Sequence, residues 1–276
     1  MPCVYKYLPT DRLSYFEDAL LRFTPPGALN DPFECLPALP DELALKGLDY
    51  FLARMREPPP LPPGTPRSAR REVSRRYQKN LTRKAALLPK TTLEMSKVFY
   101  ERATANMNSK LGILSLSRRW DSSLMWSHYS SSHTGFCVGF NREHEFFQDT
   151  RAIAEDRLPI GRVNYSAVRP QVPDHKPDLR DVLGILLTKA KDWEYEAEER
   201  LLGLLERAHK KVEAKPFDVC LFRVPHESLT EIIVGVNAAS DVLLRCTQAA
   251  KTLGVPLYRA AISKASFDLE RTPVEA

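Results

Sequence analysis

The sequence LGILSLSRRWDSSLMWSHYSSSHTGFCVGF (residues 111–140) contains the clearest succession of structural elements in this chain. LGILSLS and GFCVGF are short apolar runs of the kind that form buried strands, and DSSLMWSHYSS between them suits a helix with Asp121 as N-cap. Trp126, His128, Tyr129 and His133 follow one another closely in the helix and the turn after it. The stretch therefore predicts a strand–helix–strand unit that carries a binding or catalytic site.

The flanking sequence extends this unit to an α+β fold. Strands are predicted at YKYL, LLRFT, GRVNYS, EERLLGLL, DVCLFRV, EIIVGV and VPLYRAAI, and amphipathic helices at residues 178–193 and 238–253. Residues 41–110 lack a strand pattern and suit helices at 41–56, 67–88 and 91–110, divided by the proline-rich linker 57–66. We predict one α+β domain over residues 1–276, with flanking helices, a helical insertion at 41–110 and a mixed or antiparallel sheet. The chain from Leu111 onward is expected to supply about seven or eight short strands.

Basic residues concentrate in the segment 67–90 of that insertion. The whole chain carries a formal charge of +5, whereas this segment has nine Lys or Arg and one acid, a local +8. Such a segment can bind the phosphates of nucleic acid, but the same pattern fits a solvated helix face. The candidate nucleic-acid contacts are Arg70, Arg71, Arg75 and Arg76.

Composition and missing motifs exclude several classes of protein. Apolar residues make up 43% and charged residues 27%, and no apolar run is long enough to cross a membrane. The N-terminus has no signal-peptide pattern, and the five cysteines form no CxxC, so we expect a reducing cytoplasm without disulfides. No GxGxxG, P-loop or HExxH motif is present, and His128 and His133 are poorly spaced for one helix face, so no metal site is predicted.

Acidic residues with a neighbouring arginine form a second cluster in KDWEYEAEERLL (residues 191–202). In a strand, Glu196, Glu198 and Arg200 would share one face. They could be a solvated edge that pairs internally, or a carboxylate held ionised by Arg200 against a ligand. The aromatic helix has two readings as well: Trp126 and Tyr129 could be core residues, or they could stack on a flat heterocycle.

These segments closely resemble the bacterial domain of unknown function 2971 family. The resemblance is carried by YKYL…LRFTPPGALNDPFE, by W-x-H-Y-x-x-x-H-x-G beginning at Trp126, and by W-x-Y-E-x-E-x-R beginning at Trp193. It covers most of the chain outside residues 41–110, in the expected order.

The layout of that family is in turn distantly similar to ADP-ribosyltransferase toxins and phage-defence effectors. The resemblance implies a split sheet that binds NAD as substrate, and an enzyme that cleaves the nicotinamide–ribose bond and modifies nucleic acid or protein. An antitoxin or another protein would be a further partner. It implies catalytic roles for Glu198, with Glu196 as the alternative carboxylate, and for Tyr129. The residues implied to contact NAD are Lys6, Asn30, Asp31, Ser117, Trp126, His128 and His133. At Lys6 this sequence departs from the histidine that is usual in those toxins.

Two other functions fit parts of the sequence. A metal-independent nuclease could use His128 and His133 as acid and base, with the segment 67–90 holding phosphate. A non-catalytic interaction domain could use the insertion as its docking surface. Such a nuclease does not need the paired carboxylates. Because polar and aromatic residues crowd into three short motifs, we expect Lys6, Asn30, Asp31, Ser117, Tyr129, His133 and Glu198 to converge on one cleft.

Overall fold

The computed structural model describes residues 2–43, 45–46, 61–85, 92–148, 157–175 and 177–275. Its strands are β1 Cys3–Leu8, β2 Leu20–Phe23, β3 Leu111–Ser117, β4 Phe136–Asn141, β5 Arg157–Arg162, β6 Asn164–Ser166, β7 Thr188–Ala190, β8 Glu198–Leu204, β9 Lys210–Val212, β10 Val219–Arg223, β11 Leu229–Val234, β12 Leu257–Ile262 and β13 Leu269–Pro273. Its α-helices are α1 Tyr15–Asp18, α2 Arg67–Ala85, α3 Thr92–Lys110, α4 Ser123–Tyr129, α5 Glu145–Gln148, α6 Leu179–Leu186 and α7 Ser240–Leu253. The predicted α+β class is confirmed, but the described residues from Leu111 onward hold eleven strands rather than seven or eight. Several of the additional strands are only three residues long, too short to show a sequence pattern.

The main sheet has eight strands in the order β13-β12-β11-β4-β1-β3-β8-β5. It is mixed, because β11 and β12 run parallel while its other neighbouring strands are antiparallel. The register joins β1 to β4 at six residue pairs, yet joins β1 to β3 only at Tyr5 and Ser117. The sheet is therefore nearly divided between β1 and β3, in the middle of the strand order.

Each face of this sheet is covered by a separate apolar layer. On one face, β2, β10 and α7 pack on side chains such as Val4, Leu114 and Phe140. On the other face, Met125 and Trp126 of α4 pack on Tyr5 and Tyr7. Burying both faces fixes the register of β1, because a one-residue slip would exchange its two sets of side chains.

Two predicted helix boundaries are wrong. The N-cap of α4 is Ser122, whose hydroxyl accepts the Met125 N–H, whereas Asp121 pairs with Arg119 at 2.8 Å. The helix predicted over 178–193 ends at Leu186 and is followed by β7 and by a 3-10 helix, Lys191–Glu196. Buried ion pairs made by Lys189 after this break outweigh the helical periodicity of the sequence.

Helices α2 and α3 lie between β2 and β3, where the helical insertion is predicted. Residues 41–43 and 45–46 of the helix predicted at 41–56 are helical. Residues 61–66 of the linker 57–66 are described, and the rest of both segments lies outside the described residues. Positions 86–90 of the basic segment also lie outside them. Asn108 of α3 accepts the Gly27 N–H at 2.6 Å, and a Cβ at Gly27 would lie 2.5 Å from the Asn108 amide nitrogen. This close approach holds α3 against the loop after β2. None of the helices in the described ranges is long and apolar enough to cross a membrane.

Candidate functional site

A pocket of about 240 Å³ opens where β1 and β3 separate. Tyr5–Ser117 is the one register pair between the two strands, and the Ser115 carbonyl accepts a 2.9 Å hydrogen bond from the side chain of Lys6 through Nζ. The polar side chains that line the pocket are Tyr5, Lys6, Tyr7, Thr24, Asn30, Glu34, Ser115, Ser117, Tyr129, Lys189, Glu196 and Glu198. The division of the sheet thus creates a cavity that is lined by charged and hydroxyl groups.

Glu198 lies in the buried wall of this pocket, and Arg200 is bonded to it outside the pocket lining. They share one face of β8, as predicted, and their register places them opposite Ser115 and Ser117 of β3. Arg200 donates from Nε to Glu198 Oε1 at 2.8 Å and from Nη2 to Glu198 Oε2 at 2.9 Å, and Nη1 donates to the Leu186 carbonyl at 2.6 Å. The alternative of a solvated edge is wrong for these residues, because both are buried between neighbouring strands.

Glu196 reaches the pocket by a different route from the one predicted. It ends the 3-10 helix Lys191–Glu196, and Ala197 follows with φ of 45°, a left-handed conformation that turns the chain into β8. Glu196 is therefore not on a strand face with Glu198. Its backbone carbonyl accepts a 2.6 Å hydrogen bond from the Ser117 hydroxyl, which fixes the turn against β3.

Lys189 joins three carboxylates in the buried wall. Its ammonium lies 2.6 Å from Glu196 Oε2, 3.4 Å from Glu198 Oε2 and 3.4 Å from Glu34 Oε1. Glu34 is also bonded to Arg200 Nη2. Three carboxylates thus face two cations, and all five side chains are buried.

The pKa values in this cluster shift in different directions. Burial raises the pKa of Glu34 and outweighs the lowering by Arg200 and Lys189. Burial also opposes ionisation of Glu198, but the charge and hydrogen bonds of Arg200, with Lys189, hold the pKa of Glu198 below its ordinary value. Burial lowers the pKa of Lys189, and the three carboxylates more than reverse this. Glu198 and Lys189 are therefore charged at neutral pH.

Tyr129 and Asn30 connect the cluster to the pocket mouth. The Tyr129 hydroxyl donates to Glu196 Oε1 at 2.6 Å and accepts from Asn30 Nδ2 at 2.7 Å, and Asn30 is exposed. Burial and the neighbouring Glu196 carboxylate raise the pKa of Tyr129 well above its ordinary value, so Tyr129 remains a donor. A ligand entering the pocket meets Asn30 and Tyr129 before it meets Glu196.

Comparison with known proteins bears on this part of the chain. Residues 125–201 match the DUF2971 family. The family is described as a protein of unknown function, and the match confirms the predicted resemblance over these residues, which include Tyr129, Lys189, Glu196 and Glu198. No curated protein and no solved structure matches the chain.

Three predicted ligand contacts of the DUF2971 segment, residues 125–201, lie apart from the pocket lining. Trp126 is fully buried, and its indole N–H donates to the Trp120 carbonyl at 2.7 Å, so it is a core residue. The His133 ring stacks on Trp126 with centroids 6.3 Å apart, and His128 is exposed beside Tyr195. The two histidines have different neighbours, which does not favour their joint action as acid and base.

Asp31 also lies outside the first pocket and lines a second one, beside helix α3. The predicted convergence therefore holds for Lys6, Asn30, Ser117, Tyr129 and Glu198, and it is wrong for Asp31 and His133. The helix α4 places Trp126 and Tyr129 three residues apart, but only Tyr129 turns towards the gap between β1 and β3.

Sequence reasoning missed Glu34 and Lys189 as site residues. Glu34 closes the motif NDPFE and Lys189 begins KAKDW, yet neither has a spacing that relates it to Arg200. Arg200 lies 166 positions after Glu34 and 11 positions after Lys189, and these residues meet only because loop and strand come together in the fold. The one available signal was the surplus of carboxylates over cations near Glu198.

Lys6 has a lowered pKa, so its charge changes within a pH range in which unfolding can be measured. Burial lowers the pKa of Lys6 from 10.5 to about 8, against the opposing effect of Glu198 and Glu196. Between these values the unfolded chain holds a proton that the folded chain has released, so stability from this group rises with pH. We expect the free energy of unfolding of the wild type, minus that of Lys6→Met, to increase by about 2 kcal/mol from pH 8 to pH 10. Urea unfolding at several pH values measures the difference, and a constant difference would contradict the expectation.

Proposed function

We propose that this protein cleaves the nicotinamide–ribose bond of NAD and transfers ADP-ribose to an acceptor. The observation that carries the proposal is the hydrogen-bonded series Asn30–Tyr129–Glu196 in a pocket at the division of the sheet. An ADP-ribosyltransferase requires a pocket in a split sheet, an aromatic side chain and a carboxylate that contacts the ribose, and these residues supply the last two.

The proposed reaction needs a negative charge beside the ribose of NAD. When the bond between ribose C1′ and nicotinamide breaks, nicotinamide leaves with the electron pair and positive charge develops on the ribose, as in glycoside hydrolysis. A preorganised carboxylate stabilises that charge. The acceptor then bonds to C1′ and releases its proton; with water as acceptor, the products are ADP-ribose and nicotinamide.

Glu196 is better placed than Glu198 to contact the ribose. Both oxygens of Glu198 accept hydrogen bonds from Arg200, and one of them also lies 3.4 Å from Lys189. Each oxygen of Glu196 accepts one hydrogen bond, from Tyr129 and from Lys189, so each retains capacity for another donor. We therefore assign the ribose contact to Glu196. Glu198 instead holds the side chains of Lys189 and Arg200 in position.

The proposal is tested by incubating the purified protein with NAD and measuring released nicotinamide by chromatography. We expect time-dependent release, and transfer of ADP-ribose to DNA, RNA or protein when the correct acceptor is added. Intact NAD after long incubation with each acceptor class, together with no NAD binding by calorimetry, would contradict the proposal.

The basic segment supports nucleic acid as a partner. Arg70, Arg71, Arg75 and Arg76 lie on α2 and are exposed, so their guanidinium groups are accessible to phosphates, with Arg70 Nε also donating to the Thr65 carbonyl at 2.9 Å. Reversing all four to Glu should weaken binding of short DNA or RNA, and the wild-type affinity should fall steeply as salt rises, because bound phosphates release counterions. NAD binding should be unchanged.

A matched control reverses four exposed lysines elsewhere, namely Lys210, Lys211, Lys215 and Lys264. This change alters net charge equally but leaves α2 intact, so we expect a much smaller loss of nucleic-acid affinity. Equal losses in the two variants, or wild-type binding that does not depend on salt, would show α2 to be only a solvated surface.

A further inference from the structure

A second pocket, of about 200 Å³, lies between the loop after β2 and helix α3. Its walls include Leu29, Leu36 and Met107, which are apolar, and Asp31 and Glu34, which are acidic. Glu34 and Leu29 also line the first pocket, so the two cavities are neighbours.

Both acidic side chains of this second pocket hold an oxygen without a partner. Asp31 and Glu34 are each only 5% exposed. Asp31 Oδ1 accepts the Phe33 N–H at 2.9 Å, and Glu34 Oε1 faces Arg200 and Lys189, but Asp31 Oδ2 and Glu34 Oε2 accept no hydrogen bond from any described residue.

Such atoms are unusual, because a buried carboxylate oxygen that lacks a donor loses its hydration without compensation. Both residues line the second pocket, from which a bound molecule could supply the missing donors. The chain between them is fixed: the Glu34 N–H donates to the Asp31 carbonyl at 3.2 Å, and Asn108 holds the loop against α3. The acidic pair is thus part of an ordered wall.

We propose that this second pocket binds an organic cation, a guanidinium or primary ammonium group on a short apolar stem. The carboxylates of Asp31 and Glu34 accept its N–H donors, and Leu29, Leu36 and Met107 pack on the stem. A bare metal ion fits less well: the cavity is far larger than the roughly 10–15 Å³ that a single water needs, and no three His, Cys, Asp or Glu side chains within the described ranges are arranged to hold a metal. Binding of the cation requires neither NAD nor Glu196.

Calorimetric titration with three small probes tests this site. n-Butylguanidine and n-pentylamine present the two cations, and n-butylurea is a neutral molecule of nearly the same shape as the first. We expect at least one cation to bind with one-to-one stoichiometry and roughly tenfold or more tighter than the urea, since charge-assisted hydrogen bonds are about twice as strong as neutral ones. The tighter of the two cations identifies the donor group.

The variant Asp31→Asn links the binding to this pocket. It retains an oxygen that can accept the Phe33 N–H but removes the charge, so we expect the tighter cation to lose roughly tenfold or more in affinity. Asp241→Asn, the same change at an exposed position of α7, should bind as the wild type does. Equal binding of the cations and the urea by the wild type would overturn the proposal, as would unchanged binding by Asp31→Asn or a stronger titration by magnesium or potassium chloride.

Discussion

Glu196→Gln is expected to lower the rate of nicotinamide release from NAD by roughly a hundredfold or more, the scale of losing one preorganised electrostatic contact. Glutamine retains an oxygen that can accept the 2.6 Å hydrogen bond from Tyr129, so the pocket keeps its shape. The loss should appear in kcat more than in KM, because the charge on the ribose develops only in the transition state.

The matched control is Glu194→Gln, an exposed glutamate of the same 3-10 helix, which should leave the rate unchanged. Glu198→Gln should lower both turnover and stability, because it also removes a charged partner of Arg200. Activity that survives Glu196→Gln but not Glu198→Gln would move the ribose contact to Glu198. Activity that survives both changes would reject the carboxylate mechanism.

Arg200→Met is expected to destabilise the protein by about 3–5 kcal/mol, because it leaves buried carboxylates without their cation. Arg200 is fully buried, and its guanidinium contacts Glu198, Glu34 and the Leu186 carbonyl. It therefore joins β8, α6 and the loop after β2. Urea unfolding followed by circular dichroism measures the change in the free energy of unfolding.

Two comparisons show whether this loss has an electrostatic cause. Arg119→Met removes an exposed pair with Asp121 and should cost less than about 1 kcal/mol. The double variant Arg200→Met with Glu198→Gln also removes one of the buried carboxylates that Arg200→Met leaves unpaired. It should therefore recover part of the lost free energy of unfolding. A cost for Arg200→Met no larger than that for Arg119→Met would contradict the account of the buried cluster.

The strand–helix–strand unit was predictable because its signals are local. Apolar runs define β3 and β4, and the polar residues at 121–123 mark the start of α4. The pairing of Glu198 with Arg200 was predictable for the same reason, since side chains two apart on a strand share a face.

The remainder of the site depends on contacts that no local pattern encodes. Glu196 lies outside β8 because the chain turns at Ala197, which has a left-handed conformation. An alanine in the sequence does not predict such a conformation, since positive φ is uncommon for residues other than glycine. The helix predicted through Lys189 ends before it, at Leu186, and Lys189 lies in a buried cluster of ion pairs. Trp126 and Tyr129 share a helix side, yet one lies in the core and the other at the pocket, and only the division between β1 and β3 separates these roles.

The most direct test of the central proposal is a crystal structure with a carbocyclic analogue of NAD, which cannot form the cationic ribose and so is not consumed. We predict the analogue in the pocket between β1 and β3, with a hydroxyl of its nicotinamide-bearing ring within about 3 Å of the Glu196 carboxylate and the nicotinamide against Tyr129. An empty pocket at saturating analogue, or an analogue bound away from Glu196 and Tyr129, would contradict the proposal.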